Sequence, residues 1–84
     1  MKYFVYLIVS TSLKKNISYV GYTNNLNNRV KLHNSNKGAK FTKGKYWKLI
    51  YYKIYNSKKK AMMEEYKLKK DYKLRKYIKE KNGF

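Results

Sequence analysis

Six side chains in this 84-residue sequence are of types that can cleave a phosphodiester: the phenols of Tyr6 and Tyr19, the guanidinium of Arg29, the imidazole of His33, and the adjacent carboxylates of Glu64 and Glu65. That chemistry needs an activated water, a cation against the charge building on the phosphoryl oxygens, and a group that stabilises the leaving oxygen. Arg29 and His33 are four residues apart, so on a helix they share one face, one turn apart. Arg29 is one of two arginines among 22 cationic residues, and its planar fork suits bidentate phosphate contact better than an ammonium does. The bland reading of the pair is a solvated helix face. Glu64 and Glu65 stand in a lysine-rich stretch, and a carboxylate is the hard oxygen ligand that Mg²⁺ prefers, often with only one or two per ion. On helical spacing Glu65 aligns with Ala61, Leu68 and Tyr72, a largely apolar stripe expected to face a sheet, whereas Glu64 falls with Lys60 and Lys67. Glu65 is therefore the expected inward carboxylate and Glu64 a surface ion-pair partner. Pairing of Glu65 with Lys69 is the alternative for that residue. With eleven tyrosines present, any two more often fill a core than do chemistry, and Gly21 in Tyr19-Val20-Gly21 is a place where a backbone or phosphate can come close.

The elements that must position these groups are legible from pattern. Lys2 to Ser10 and Ile17 to Tyr22 are rich in β-branched and aromatic residues, and the link Thr11 to Asn16 is short enough for an antiparallel hairpin. Leu26 and Val30, with Thr23 or Asn24 as caps, predict a helix from about Asn25 to Asn34. Asn34 to Lys45 holds Gly38 and Gly44 among lysines and reads as an irregular loop. Trp47 to Tyr55 suits a third strand. Ser57 can cap a helix to about Lys70, and Leu74, Tyr77 and Ile78 mark a last short helix with an apolar side. The expected fold is α+β, a three-stranded antiparallel sheet flanked by helices in the order β-β-α-β-α-α, as one domain over residues 1–84.

Composition narrows the partners. Against 22 Lys and Arg there are 4 Asp and Glu, a formal charge of +18, which fits a protein that meets a polyanion. The same lysine and tyrosine excess also follows from an AT-rich genome. The longest apolar run, Tyr3 to Val9, is far shorter than the roughly 20 residues of a bilayer span, so no membrane partner and a cytoplasmic location are expected. No cysteine is present, which excludes zinc fingers and a disulfide frame. Any metal must sit on oxygen or on the single histidine.

Phe4-Val5-Tyr6, Tyr19-Val20-Gly21, Arg29 with His33, and Glu65 ahead of Tyr66-Lys67-Leu68-Lys69 together resemble the GIY-YIG endonuclease superfamily in order, spacing and context. Gly21 to Leu26 with Asn28-Arg29, and the loop Lys37 to Thr42, resemble its small single-domain bacterial members, akin to the nuclease domain of the excision-repair protein UvrC. Phe4 stands where the family name has its first glycine, and Tyr22 and Thr23 stand where some members carry a lysine. The resemblance implies hydrolysis of DNA, in repair or recombination, with one divalent ion, Mg²⁺ or Mn²⁺. It implies Tyr6 as general base or water-positioning phenol, Tyr19 as its partner, Arg29 stabilising the transition state, His33 hydrogen-bonding a catalytic phenol, and Glu65 holding the metal. An unperturbed phenol has a pKa near 10, and the dense positive charge is the expected source of a downward shift. Nucleic-acid contacts are expected at Gly21, Lys37, Lys40, Lys43, Lys45 and Lys69, with a protein partner supplying target specificity. The alternative is a nucleic-acid-binding module of the same fold with weak or no catalysis.

Overall fold

The protein is described by a computed structural model covering residues 1–11 and 16–84. Its elements follow the order β1 (Tyr3–Ser10), β2 (Ile17–Thr23), α1 (Leu26–Asn34), a 3₁₀ turn (Lys40–Thr42), β3 (Lys48–Tyr55), α2 (Lys58–Lys70) and α3 (Tyr72–Lys81). The strands form one antiparallel sheet in the order β2-β1-β3, with β1 in the centre. The expected pairing of the first two strands is present, with Tyr6 opposite Gly21 and Ile8 opposite Tyr19. Most of the expected hairpin link, residues 12–15, lies outside the described residues.

Alternation along β1 divides the core into two layers. Val5 and Leu7 face one side and pack with Val20, Ala61 and Leu68 of α2, and Ile78 of α3. Tyr6 and Ile8 face the other side and pack with Trp47, Leu26 and Val30 of α1, Tyr19 and Leu49. One strand therefore carries both layers. Burial on each face explains why all of Val5 to Ser10 is withdrawn from solvent.

Each helix begins where a side chain accepts from a free amide. Asn25 Oδ1 accepts from Asn28 N at 3.1 Å, Ser57 Oγ from Lys60 N at 3.1 Å, and Asp71 Oδ1 from Leu74 N at 3.0 Å. The cap of α1 is thus Asn25, one residue beyond Asn24 and two beyond Thr23, the expected caps. Asp71 also ends α2, with φ −92° and ψ 78°, and this break removes Tyr72 from the Glu65 stripe. Ala61 and Leu68 are buried as expected, but Tyr72 is exposed on a new helix. In α3 only Ile78 reaches the core, while Leu74 and Tyr77 stay exposed.

The stretch expected to be an irregular loop is a fastened clasp. Asn34 donates from Nδ2 to the Trp47 carbonyl at 3.0 Å and accepts from the Trp47 amide at 2.6 Å. The indole Nε1 of Trp47 donates to the Thr42 carbonyl at 2.9 Å. Thr42 and Trp47 are both buried, and Trp47 precedes β3 instead of opening it. Counting lysines and glycines in this segment hides the few residues that tie it down.

Candidate active site

At the exposed edge of the sheet, beside β2, an open cleft of about 440 Å³ is lined by Tyr6, Tyr19, Gly21, Arg29, Lys58 and Glu65, with Tyr3, Tyr22, Thr23 and Asn24 completing its wall. Gly21, Tyr6 and Tyr19 come from the α1 face of the sheet, whereas Tyr3 and Tyr22 come from the other face. The cleft therefore wraps around the edge strand, and α1 and α2 supply Arg29 and Glu65 from opposite sides.

Tyr6 is at once a core residue and a site residue. Its ring is 2% exposed and its Oη is 2.8 Å from Nε2 of His33. The ring lies directly above Gly21: a Cβ added there would be 2.4 Å from Tyr6 Oη and 2.6 Å from its Cζ. The close approach that Gly21 allows is thus made by a phenol of the protein itself. His33 is 1% exposed, and its other nitrogen, Nδ1, is 2.8 Å from the Thr42 hydroxyl. Tyr19 meets the His33 ring edge-on with centroids 5.2 Å apart, and its ring also contacts the rings of Phe41 and Trp47.

The expectation that positive charge makes the phenol more acidic is overturned at Tyr6. Burial, reinforced by the Tyr19 phenol, pushes Tyr6 above its ordinary value; Arg29 acts in the opposite sense and is outweighed, and Glu65 adds to the rise. Burial, followed by Arg29, holds His33 below its ordinary value, so the imidazole is neutral at pH 7.

Glu65 keeps its inward register. Its side chain is 17% exposed and lines the cleft, while Oε1 also lies 3.4 Å from Nζ of Lys69, so both sequence readings of this residue describe it. Glu64 is the surface partner, 3.5 Å from Lys60 and 3.2 Å from Lys67. Among the described residues no three His, Cys, Asp or Glu gather as a metal-ligand group. A hard ion that keeps waters and takes one carboxylate fits a cleft with Glu65 on its wall.

The structure does not bring the five predicted lysines into the cleft. Lys37, Lys40 and Lys43 are exposed on the clasp, Lys45 donates from Nζ to the Phe41 carbonyl at 3.1 Å, and Lys69 pairs with Glu65. The lysine that does line it is Lys58, which sequence reasoning missed. Its signal was present: Lys58, Ala61 and Glu65 are spaced i, i+3 and i+7 on α2. Thr42 was missed because it lies between lysines in a segment read as irregular.

With this geometry in hand, comparison with known proteins decides the family. The GIY-YIG catalytic domain matches residues 2–78. The chain belongs to the GIY-YIG family. It is 41% identical over 69 residues to a UPF0213 protein of Staphylococcus haemolyticus, covering 81% of this chain and 80% of that one. It is 45% identical over 73 residues to the UPF0213 protein YazA of Bacillus subtilis, covering 83% and 74%. Against a UPF0213 protein of Oceanobacillus iheyensis the identity is 46% over 52 residues, spanning 61% of this chain and 60% of that protein. The solution NMR structure of a UPF0213 protein from Bacillus halodurans superposes with a TM-score of 0.53 at 34% identity, covering 99% of this chain and 88% of that one. The family and the α+β order β-β-α-β-α-α both stand as read from the sequence. Among the described residues no helix is long and apolar enough to cross a membrane.

Proposed function

We propose that this GIY-YIG protein is a metal-dependent endonuclease that hydrolyses phosphodiester bonds in DNA, acting in the cytoplasm with a protein partner that supplies target choice. The observation carrying this reading is the meeting of Tyr6, Tyr19, Arg29 and Glu65 in one cleft, from elements on both faces of the sheet. Glu65 would hold a divalent ion, Mg²⁺ or Mn²⁺, which when bound would supply stabilisation of developing negative charge. Arg29 binds the phosphoryl oxygens and opposes the charge that grows on them. Tyr6, immobilised by His33 and by the packing above Gly21, positions the attacking water in line with the phosphate. Tyr19 supports the His33 ring on which Tyr6 depends. Lys58 adds a second positive group to the wall, at the end of α2 that also carries the positive pole of the helix dipole.

Supercoiled plasmid incubated with the protein and Mg²⁺ or Mn²⁺ tests the reading beside Glu65→Gln, which keeps the shape and removes the charge. Metal-dependent nicking by the parent, with a loss of about 10²-fold or more in the variant, is the expected result. Equal cutting by both proteins would refute the role given to Glu65. One observation favours the second reading, a binding module without catalysis: the Glu65 carboxylate already has an ammonium partner in Lys69 at 3.4 Å. Salt-sensitive DNA binding with no cleavage by either protein would select it.

A further inference from the structure

Thr42 is fully buried, yet its hydroxyl has two polar partners. Oγ1 lies 2.8 Å from the Ala39 carbonyl oxygen and 2.8 Å from Nδ1 of His33. A hydroxyl carries one proton, and a carbonyl oxygen can only accept. The proton therefore goes to Ala39, and Oγ1 turns a lone pair toward Nδ1, which must carry the hydrogen. The opposite arrangement, with the hydroxyl donating to Nδ1, leaves two oxygens facing each other at 2.8 Å with no proton between them. A neutral imidazole has a single N–H, so Nε2 keeps its lone pair and faces Tyr6 Oη at 2.8 Å.

We propose that Thr42 is a positioning residue that fixes His33 in the Nδ1–H tautomer, so that Tyr6 donates its hydrogen to Nε2 and keeps its oxygen lone pairs for the water in the cleft. The inference rests on the hydrolytic reading of the cleft only for its consequence, since the tautomer exists with or without catalysis. The surroundings are built to hold this arrangement. Trp47 Nε1 grips the Thr42 carbonyl at 2.9 Å, and Gly38 makes room for the ring, since a Cβ there would be 2.4 Å from His33 Nδ1. In the other tautomer Nε2–H would donate to Tyr6, take up a phenol lone pair and turn the phenolic hydrogen away from its acceptor.

His33 is the one histidine in the chain, so a long-range proton–nitrogen NMR correlation of the imidazole reports it without assignment. In the metal-free, DNA-free protein near pH 7.5, Nδ1 is expected at a pyrrole-type shift and Nε2 at a pyridine-type shift. Thr42→Val keeps the shape and removes the acceptor, and is expected to move the proton wholly or partly to Nε2; Thr42→Ser is expected to restore the parent pattern. A proton on Nε2 in the parent, or an unchanged pattern in Thr42→Val, overturns the proposal. The parent spectrum is itself decisive, so the test survives an unstable valine variant. If the parent cuts plasmid, kcat should fall about 10²-fold in Thr42→Val with KM unchanged and recover in Thr42→Ser. If the parent does not cut, the hydrolytic reading fails while the NMR result on the tautomer still stands.

Discussion

Gly21→Ala tests most directly whether the Tyr6 phenol is held in place by what packs around it. No positive φ is recorded at Gly21, which lies in the regular ladder of β2 opposite Tyr6, so alanine brings no backbone strain and the effect is steric. The new methyl would stand 2.4 Å from Tyr6 Oη and 2.6 Å from Cζ, and ordinary contact at about 3.5 Å requires the ring to retreat by roughly 1 Å. It cannot retreat toward His33, already 2.8 Å away, and a retreat away from it stretches that hydrogen bond beyond useful range. Overpacking costs about 1–3 kcal/mol, and a buried imidazole nitrogen left without its partner costs about 1–3 kcal/mol more. Against the marginal stability of a domain this size, a combined loss of about 2–6 kcal/mol lowers Tm by roughly 10 °C or more. A displacement of 1 Å also costs on the order of 10²-fold in rate where the phenol orients water. Thermal unfolding by circular dichroism and plasmid nicking read the two effects separately. An alanine variant with parental Tm and parental nicking would refute both the packing account of Gly21 and the role of Tyr6.

The remaining expectations follow from other contacts. Because burial and Arg29 lower the His33 pKa in the folded state, the unfolded chain takes up the proton first as pH falls; stability should be level above about pH 7.5, decline as pH drops through about 6.5, and level off below the folded value. Urea unfolding across that range checks this, and His33→Asn should abolish the slope. Affinity for DNA should fall steeply with salt, and replacing Lys37, Lys40 and Lys43 by alanine should reduce the log–log slope by about 0.9 for each phosphate contact removed, as read by fluorescence anisotropy; an unchanged slope would exclude the clasp from the interface. Asn34→Ala removes both bonds to the Trp47 backbone and should cost about 1–3 kcal/mol in urea unfolding.

The strands and helices were readable because their apolar residues repeat at periods of two and 3.6, and because Ser57 occupies a recognisable cap position. The inward register of Glu65 was readable for the same reason, since Ala61 and Leu68 mark the buried stripe on either side. Tyr72 broke the pattern because a cap at Asp71 ends one helix and starts another, and continuous helical spacing does not register such a break. The segment after α1 is a loop as expected, with only a 3₁₀ turn in it, but its anchoring was not legible, because that order comes from a handful of directed bonds at Asn34, Thr42 and Trp47, and composition counts lysines equally whether or not their neighbours are tied down. The electrostatics of Tyr6 were misjudged for a related reason. Net charge is a property of the whole surface, whereas the acidity of one phenol is decided by its desolvation within the core.

Placing β1 in the centre of the sheet has a consequence for synthesis. This strand leaves the ribosome before either neighbour, and its pairing with β3 waits until Lys48–Tyr55 has been made. At about 5–20 residues per second that interval lasts roughly 2–10 s, during which an apolar segment with one unpaired edge is open to wrong partners. Contacts so distant in sequence also slow folding. The strand that later carries both layers of the core is thus the segment of the nascent chain most in need of protection by chaperones or by prompt pairing with β2.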